Sequence, residues 1–126
     1  MFKLMATYKS FKELDCYKKS RIAKIWIIEF IRSLPKNQFD MKDNMIRAAR
    51  SMTRNIAEGF GRFHYKENIQ FVRIARGSAS ELQDDLDGCT LEGFCTQEDI
   101  KEGEKLLSEA IHSINGYIKY LQSRLK

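Results

Sequence analysis

Arg47, Arg50 and Arg54 stand three and four residues apart, and Arg62, Lys66, Arg73 and Arg76 follow soon after. Guanidinium groups repeated at helical spacing can contact successive phosphates, an attraction that carries little base specificity and weakens as salt rises. Asp43 lies four residues before Arg47 and Glu58 four after Arg54, so ion pairs on a solvated helix face are the competing reading of the same row. Tyr117 and Tyr120 can stack on bases or pack in an interface.

The other reactive groups form no constellation with a mechanism. A di-iron centre in a helical bundle needs two Glu-x-x-His motifs with further inward carboxylates. The chain has one, Glu109 to His112, pointing away from the apolar stripe of its helix, and its only other histidine is His64. Cys16, Cys89 and Cys95 are odd in number and contain no CxxC pair, so neither a disulfide framework nor a zinc ribbon is indicated. Gly59-Phe60-Gly61 matches no phosphate loop or dinucleotide fingerprint and reads as a helix stop. The sequence therefore points to a protein that binds without catalysing, with no metal and no cofactor.

Four helices are expected to carry these residues, over about 11–33, 40–60, 65–91 and 96–125, in one domain spanning 1–126. Ser33-Leu34-Pro35 ends the first, since proline cannot continue a helix and pushes its predecessor toward extended backbone. Asp40 is the expected N-cap of the second. The third closes near Gly93, and Thr96-Gln97-Glu98-Asp99 opens the fourth with a capping hydroxyl and acids at the positive end of the dipole. Apolar stripes run through Met45, Ala49, Met52 and Ile56, and through Phe71, Ala75, Ser78 and Leu82. A third runs through Ile100, Glu104, Leu107, Ile111, Ile114, Ile118, Leu121 and Leu125, with Glu104 its one polar exception. Four striped helices without strand alternation make an all-α fold, an antiparallel up-down four-helix bundle.

The first helix is the exception. Ile25, Trp26, Ile27, Ile28, Phe30 and Ile31 point in nearly every direction at 100° per residue, leaving only Lys24 and Glu29 polar between Ile22 and Ile31. A bundle buries one side of a helix, so Trp26, Ile27 and Phe30 are expected to meet another copy of the chain in a homo-oligomer; the alternative cover is the chain's own N-terminal tail.

Composition bounds the partner. Hydrophobic residues at 43% and charged residues at 31% are those of a globular chain, and neither a signal-peptide core nor a membrane span is visible, so the expected location is cytoplasmic, with no membrane partner. Residues 1–80 carry 17 Lys/Arg against 7 Asp/Glu, and residues 81–126 carry 5 against 10. Such a division suits a polyanion on the basic part, or pairing of basic and acidic faces between protein subunits.

Asn55-Ile56-Ala57-Glu58-Gly59-Phe60-Gly61-Arg62, with Phe11-Lys12-Glu13-Leu14 before it and Phe71-Val72-Arg73-Ile74-Ala75-Arg76-Gly77-Ser78 and Glu81-Leu82 after it, resembles the family of the 23S rRNA intervening-sequence protein of bacteria. That family is distantly related to the accessory variability determinant of diversity-generating retroelements, a pentameric barrel that binds nucleic acid together with a reverse transcriptase. The resemblance implies a homopentamer, a nucleic-acid partner with RNA ahead of DNA, and, by distant analogy, a reverse transcriptase. Arg47, Arg50, Arg54, Arg62, Arg73 and Arg76 are the candidate phosphate contacts. Asn55, Ser78 and Glu81, on or beside the inward stripes, are expected to hydrogen-bond between helices and fix their register. The alternative function is a protein-interaction scaffold in which the basic face receives the acidic segment 81–92 of a neighbour or of another protein.

Overall fold

The structure, a computed structural model, describes residues 8–125, so most of the N-terminal tail, residues 1–7, lies outside the described residues. A 3-10 turn at Phe11–Glu13 precedes four helices, α1 (Asp15–Arg32), α2 (Phe39–Gly61), α3 (Tyr65–Leu91) and α4 (Gln97–Ser123), and there is no strand among the described residues. None of these helices is long and apolar enough to cross a membrane. Each helix packs on its neighbours in sequence, and α1 closes the ring against α4.

The helix boundaries follow local chemistry. The first expected helix is split, because Leu14 turns extended (φ −67°, ψ 133°) to bury its side chain, and only then does α1 begin. α2 starts from Gln38 at Phe39, leaving Asp40 in the first turn, where its charge meets the positive end of the dipole. Gly93 (φ 80°) closes α3, with Gly93 N–H donating to Thr90 O and Phe94 N–H to Cys89 O. Thr96 and Asp99 then cap α4 reciprocally, each side chain accepting from the other's backbone N–H.

α2 ends at Gly61, where the glycines place its stop, but neither Gly59 nor Gly61 is left-handed; the left-handed residue of that turn is Phe63 (φ 59°). Gly59 instead lets α2 and α3 touch: a Cβ there would sit 2.6 Å from Asn68 Oδ1 and 3.1 Å from Phe71 Cβ.

Two apolar layers fill the interior. One gathers Ile27, Phe30, Met45, Met52, Leu82, Leu86, Ile100 and Leu107, and the other Leu14, Ile56, Phe60, Ile69, Val72, Ile114 and Leu121. The start of each helix shares a layer with the end of the next, so consecutive helices run in opposite directions. Between the layers in sequence fall Ser20, Thr53, Ser78 and Ala110, all buried, a waist of small and polar side chains.

The expected stripes shift in places. Met45, Ala49, Met52 and Ile56 are fully buried, whereas on α3 Val72 replaces Phe71 in the core. On α4 Gly103 replaces Glu104, which is exposed, and Leu125 is exposed beyond the helix end.

On α1 the residues expected at an interface between copies lie inside the chain. Ile27 is 0% and Phe30 7% exposed inside the chain's own core, so they are not available to a second copy. Trp26 stacks on Phe30 at 4.9 Å between centroids and lies over Gly103, whose missing side chain provides the recess. A glycine on α4 thus lets α1 bury two faces, one inward and one toward α4. What stays outside on α1 is Ile22 and Ile25, 50% and 46% exposed.

Of the three polar residues expected to fix register, Ser78 does so directly: its hydroxyl donates to Ser51 Oγ at 2.8 Å, joining α3 to α2. Asn55 acts at one remove, donating through Nδ2 to Ser51 O at 2.8 Å and Ser51 Oγ at 3.0 Å on its own helix. Glu81 is exposed and makes no hydrogen bond among the described residues, since the step from Ser78 rotates it out of the interface. Ser78→Ala and Asn55→Ala should therefore each cost about 1 kcal/mol, the usual worth of such a bond, with Glu81→Ala within about 0.5 kcal/mol of wild type. Thermal melting of the three variants checks this, and a loss at Glu81 matching that at Ser78 would contradict it.

Candidate nucleic-acid interface

The six candidate arginines do not form one surface. Arg62 is engaged at the α2–α3 turn, 3.1 Å from Glu58 and 4.0 Å from Glu67, with its guanidinium 5.0 Å over the Phe71 ring. Arg76 donates to Asn115 Oδ1 at 2.8 Å across α3 and α4. Arg73 is exposed on α3. Arg47, Arg50 and Arg54 remain together on the outer side of α2, where they line a shallow depression of about 420 Å³ with Asp43 and Ile46.

The competing ion pairs do not form. Arg47 donates to Asn44 Oδ1 at 2.6 Å instead of pairing with Asp43, and Glu58 takes Arg62 and not Arg54. Arg50 and Arg54 have no ion-pair partner among the described residues.

What completes this surface comes from α1 and was not singled out in the sequence. Lys24, Arg50, Thr53 and Arg54 share a cleft of about 340 Å³ with Phe11 and Tyr17, whose rings meet edge-on at 4.8 Å. Lys12, Tyr17, Lys18, Arg21 and Ile22 line the next, about 390 Å³. Because Tyr17 belongs to both clefts, and Arg50 and Arg54 are shared with the depression on α2, a continuous basic strip crosses the α1–α2 groove with aromatic edges at one end.

Crowding of like charge marks that strip. Lys24 donates from Nζ to Thr53 Oγ1 at 3.3 Å, and its ammonium is held below the usual lysine range, first by burial and then by repulsion from Arg50, Arg21 and Arg54. A bound polyanion would relieve that repulsion. Lys24 and Arg21 lie three apart, a basic spacing visible in the sequence yet masked there by the isoleucines between and beside them.

Other reactive groups are quieter. Burial pushes the Cys16 and Cys89 thiols up to about 12, where they stay protonated and unreactive. On α3, Asp85 is raised, first by burial and then by Asp84 and Glu81, across a cleft from Arg47.

Comparison with known proteins adds one finding. A family model described as 23S rRNA-intervening sequence protein matches residues 12–116. No curated protein matches the chain.

Proposed function

The chain belongs to the 23S rRNA-intervening sequence protein family, and from that premise we propose that it is a non-catalytic, homo-oligomeric bundle that binds nucleic acid, RNA ahead of DNA, on the α1–α2 face. The observation that carries the reading is the crowded cationic groove in which Arg21, Lys24, Arg50 and Arg54 face one another without a carboxylate partner among the described residues. Phosphates spaced along a strand supply the missing countercharge, while Phe11 and Tyr17 offer ring edges and faces to bases at the groove's end.

Ile22 and Ile25 take the role first given to Trp26, Ile27 and Phe30. They form the outward apolar strip through which copies of α1 would associate, as a pentamer if the distant relationship holds. Fluorescence anisotropy with a structured RNA, a duplex DNA and a single strand, each titrated across salt, tests the reading. Binding should fall steeply with salt, the slope of log K against log salt being about −3 to −4 for five phosphate contacts to a single strand. No binding at low salt would overturn it.

A second reading has its own support in the acidic patch of Glu81, Asp84 and Asp85, where burial and mutual repulsion hold Asp85 up. In that reading the patch docks on the basic groove of a neighbouring subunit or of another protein, and the protein acts as an interaction scaffold.

A further inference from the structure

On the α1–α4 side, apart from the basic groove, a cleft of about 490 Å³ opens between the start of α1 and the later turns of α4. That volume lies within the range of small-ligand sites. Tyr8, Asp15, His112, Ser113, Tyr117 and Tyr120 are the polar and aromatic groups in its wall. Gly116 stands among the α4 residues of that wall, and a Cβ there would meet nothing within 4 Å, so the glycine leaves the cleft open.

The wall is ordered by its own contacts. Tyr117 is pinned through its hydroxyl, which accepts from Asn68 Nδ2 at 3.0 Å, while Tyr120 stays 42% exposed at the rim. Ser113 donates its hydroxyl proton to Asp15 Oδ2, and Lys19 Nζ stands 3.6 Å from Asp15 Oδ1. The Ser113 bond holds the Asp15 carboxyl below the usual carboxylate range, so it is an anion at neutral pH, with lone pairs left over.

These groups select a ligand by elimination. Tyrosine rings call for a flat π system. An ionised carboxylate calls for N–H donors on that system. A simple organic cation would meet both demands but would have to displace Lys19 and sit beside Lys18. A neutral base with N–H donors meets both demands without setting a second positive charge against Lys19. Guanine, whose N1–H and N2–H donors lie side by side, matches the two oxygens of one carboxylate; adenine, cytosine and uracil each offer a single donor position on that edge.

We propose that this cleft holds a guanine base, stacked against the tyrosine wall with its donor edge on Asp15. The base belongs either to a free nucleotide or to an unpaired position of a bound strand. In the second case the inference rests on the nucleic-acid reading above; in the first it stands alone.

Calorimetric titration of the intact protein with GMP, AMP, CMP and UMP tests it. GMP should bind about tenfold or more tightly than the other three, as a bidentate base contact requires. Gly116→Leu fills the cleft without touching the core, and should abolish GMP binding while the melting temperature holds or rises. Asp15→Asn should erase the preference for GMP. Equal affinity for all four nucleotides, no GMP binding, or GMP binding retained in Gly116→Leu would overturn the proposal.

The groove is read separately, by the salt-dependent binding of a strand lacking guanine. If that strand binds and GMP does not, the cleft proposal fails and the groove stands; if GMP binds and the strand does not, the reverse holds. A single-stranded oligomer with one guanine that binds more tightly than GMP identifies a strand as the source, and equal affinity identifies a free nucleotide.

Discussion

Replacing Arg47, Arg50 and Arg54 together by glutamate is expected to reduce nucleic-acid affinity by about a hundredfold or more at moderate salt, because three phosphate contacts are lost and three repulsions introduced. The fold should survive it. All three side chains are exposed, and the one hydrogen bond among them, from Arg47 to Asn44, stays on its own helix. Stability should hold or increase, since the change removes Arg50 and Arg54 from the repulsion that, after burial, holds the Lys24 ammonium down. The measurements are anisotropy with RNA, thermal melting and size-exclusion chromatography of the same variant. Lost binding with unchanged melting and unchanged size supports the groove as a phosphate site; dissociation into smaller species supports the interaction scaffold. Binding retained within a factor of a few at the same salt would remove these arginines from the interface.

Gly103→Ala is expected to destabilise the protein by about 1–3 kcal/mol, the cost of overpacking a filled interior. The sign is the informative part, because alanine inside a helix is ordinarily favoured over glycine by about 1 kcal/mol. Here the new Cβ would lie 2.6 Å from Cη2 and 2.8 Å from Cε3 of Trp26, a rigid ring already stacked on Phe30. Gly116→Ala is the matched control on the same helix: its Cβ meets open space, so that variant should melt at or above wild type. Trp26→Leu in the Gly103→Ala background should recover part of the loss by making room. If Gly103→Ala melted like Gly116→Ala, the ring would not occupy the recess.

Much of the fold could be read from the chain because capping and periodicity are local. Thr96 through Asp99, Gly93 and Pro35 each act within one turn of their own position, and Met45 through Ile56 need only a helix with one buried side. The failures lie where a residue's role depends on what another helix presents. Trp26, Ile27 and Phe30 looked like too much apolar surface for one chain because nothing local says that Gly103 stands across from Trp26. Glu104 was placed in the stripe because three- and four-residue steps admit either neighbour, and the choice was made by the tryptophan. Gly59 reads as part of a stop signal, being one of a glycine pair at the end of α2, and nothing local says that Asn68 and Phe71 stand against it.

The candidate site was legible in the same measure. Arg47, Arg50 and Arg54 share a helix face, which their spacing alone implies. Arg62 and Arg76 have the right charge but are engaged by Glu58 and Asn115, partners that only the turn and the α3–α4 packing bring near. Arg21 and Lys24 belong to the groove by virtue of how α1 lies on α2. Their three-residue spacing is present in the sequence, but the isoleucines around them make that segment read as buried.

The waist of Ser20, Thr53, Ser78 and Ala110 has a consequence for how the chain comes apart. Each helix contributes to both apolar layers, the residues between them in sequence are short, and the Ser20 hydroxyl finds no partner among the described residues. Cooperativity across that level is therefore expected to be weaker than within either layer, so the amides of the two halves should exchange with solvent as two groups with separate opening free energies. The turn at Phe63 sits at the end of one half, and the cap pair at Thr96 and Asp99 at the end of the other. The half closed by the left-handed phenylalanine should open first, because that backbone conformation is strained for a residue with a side chain.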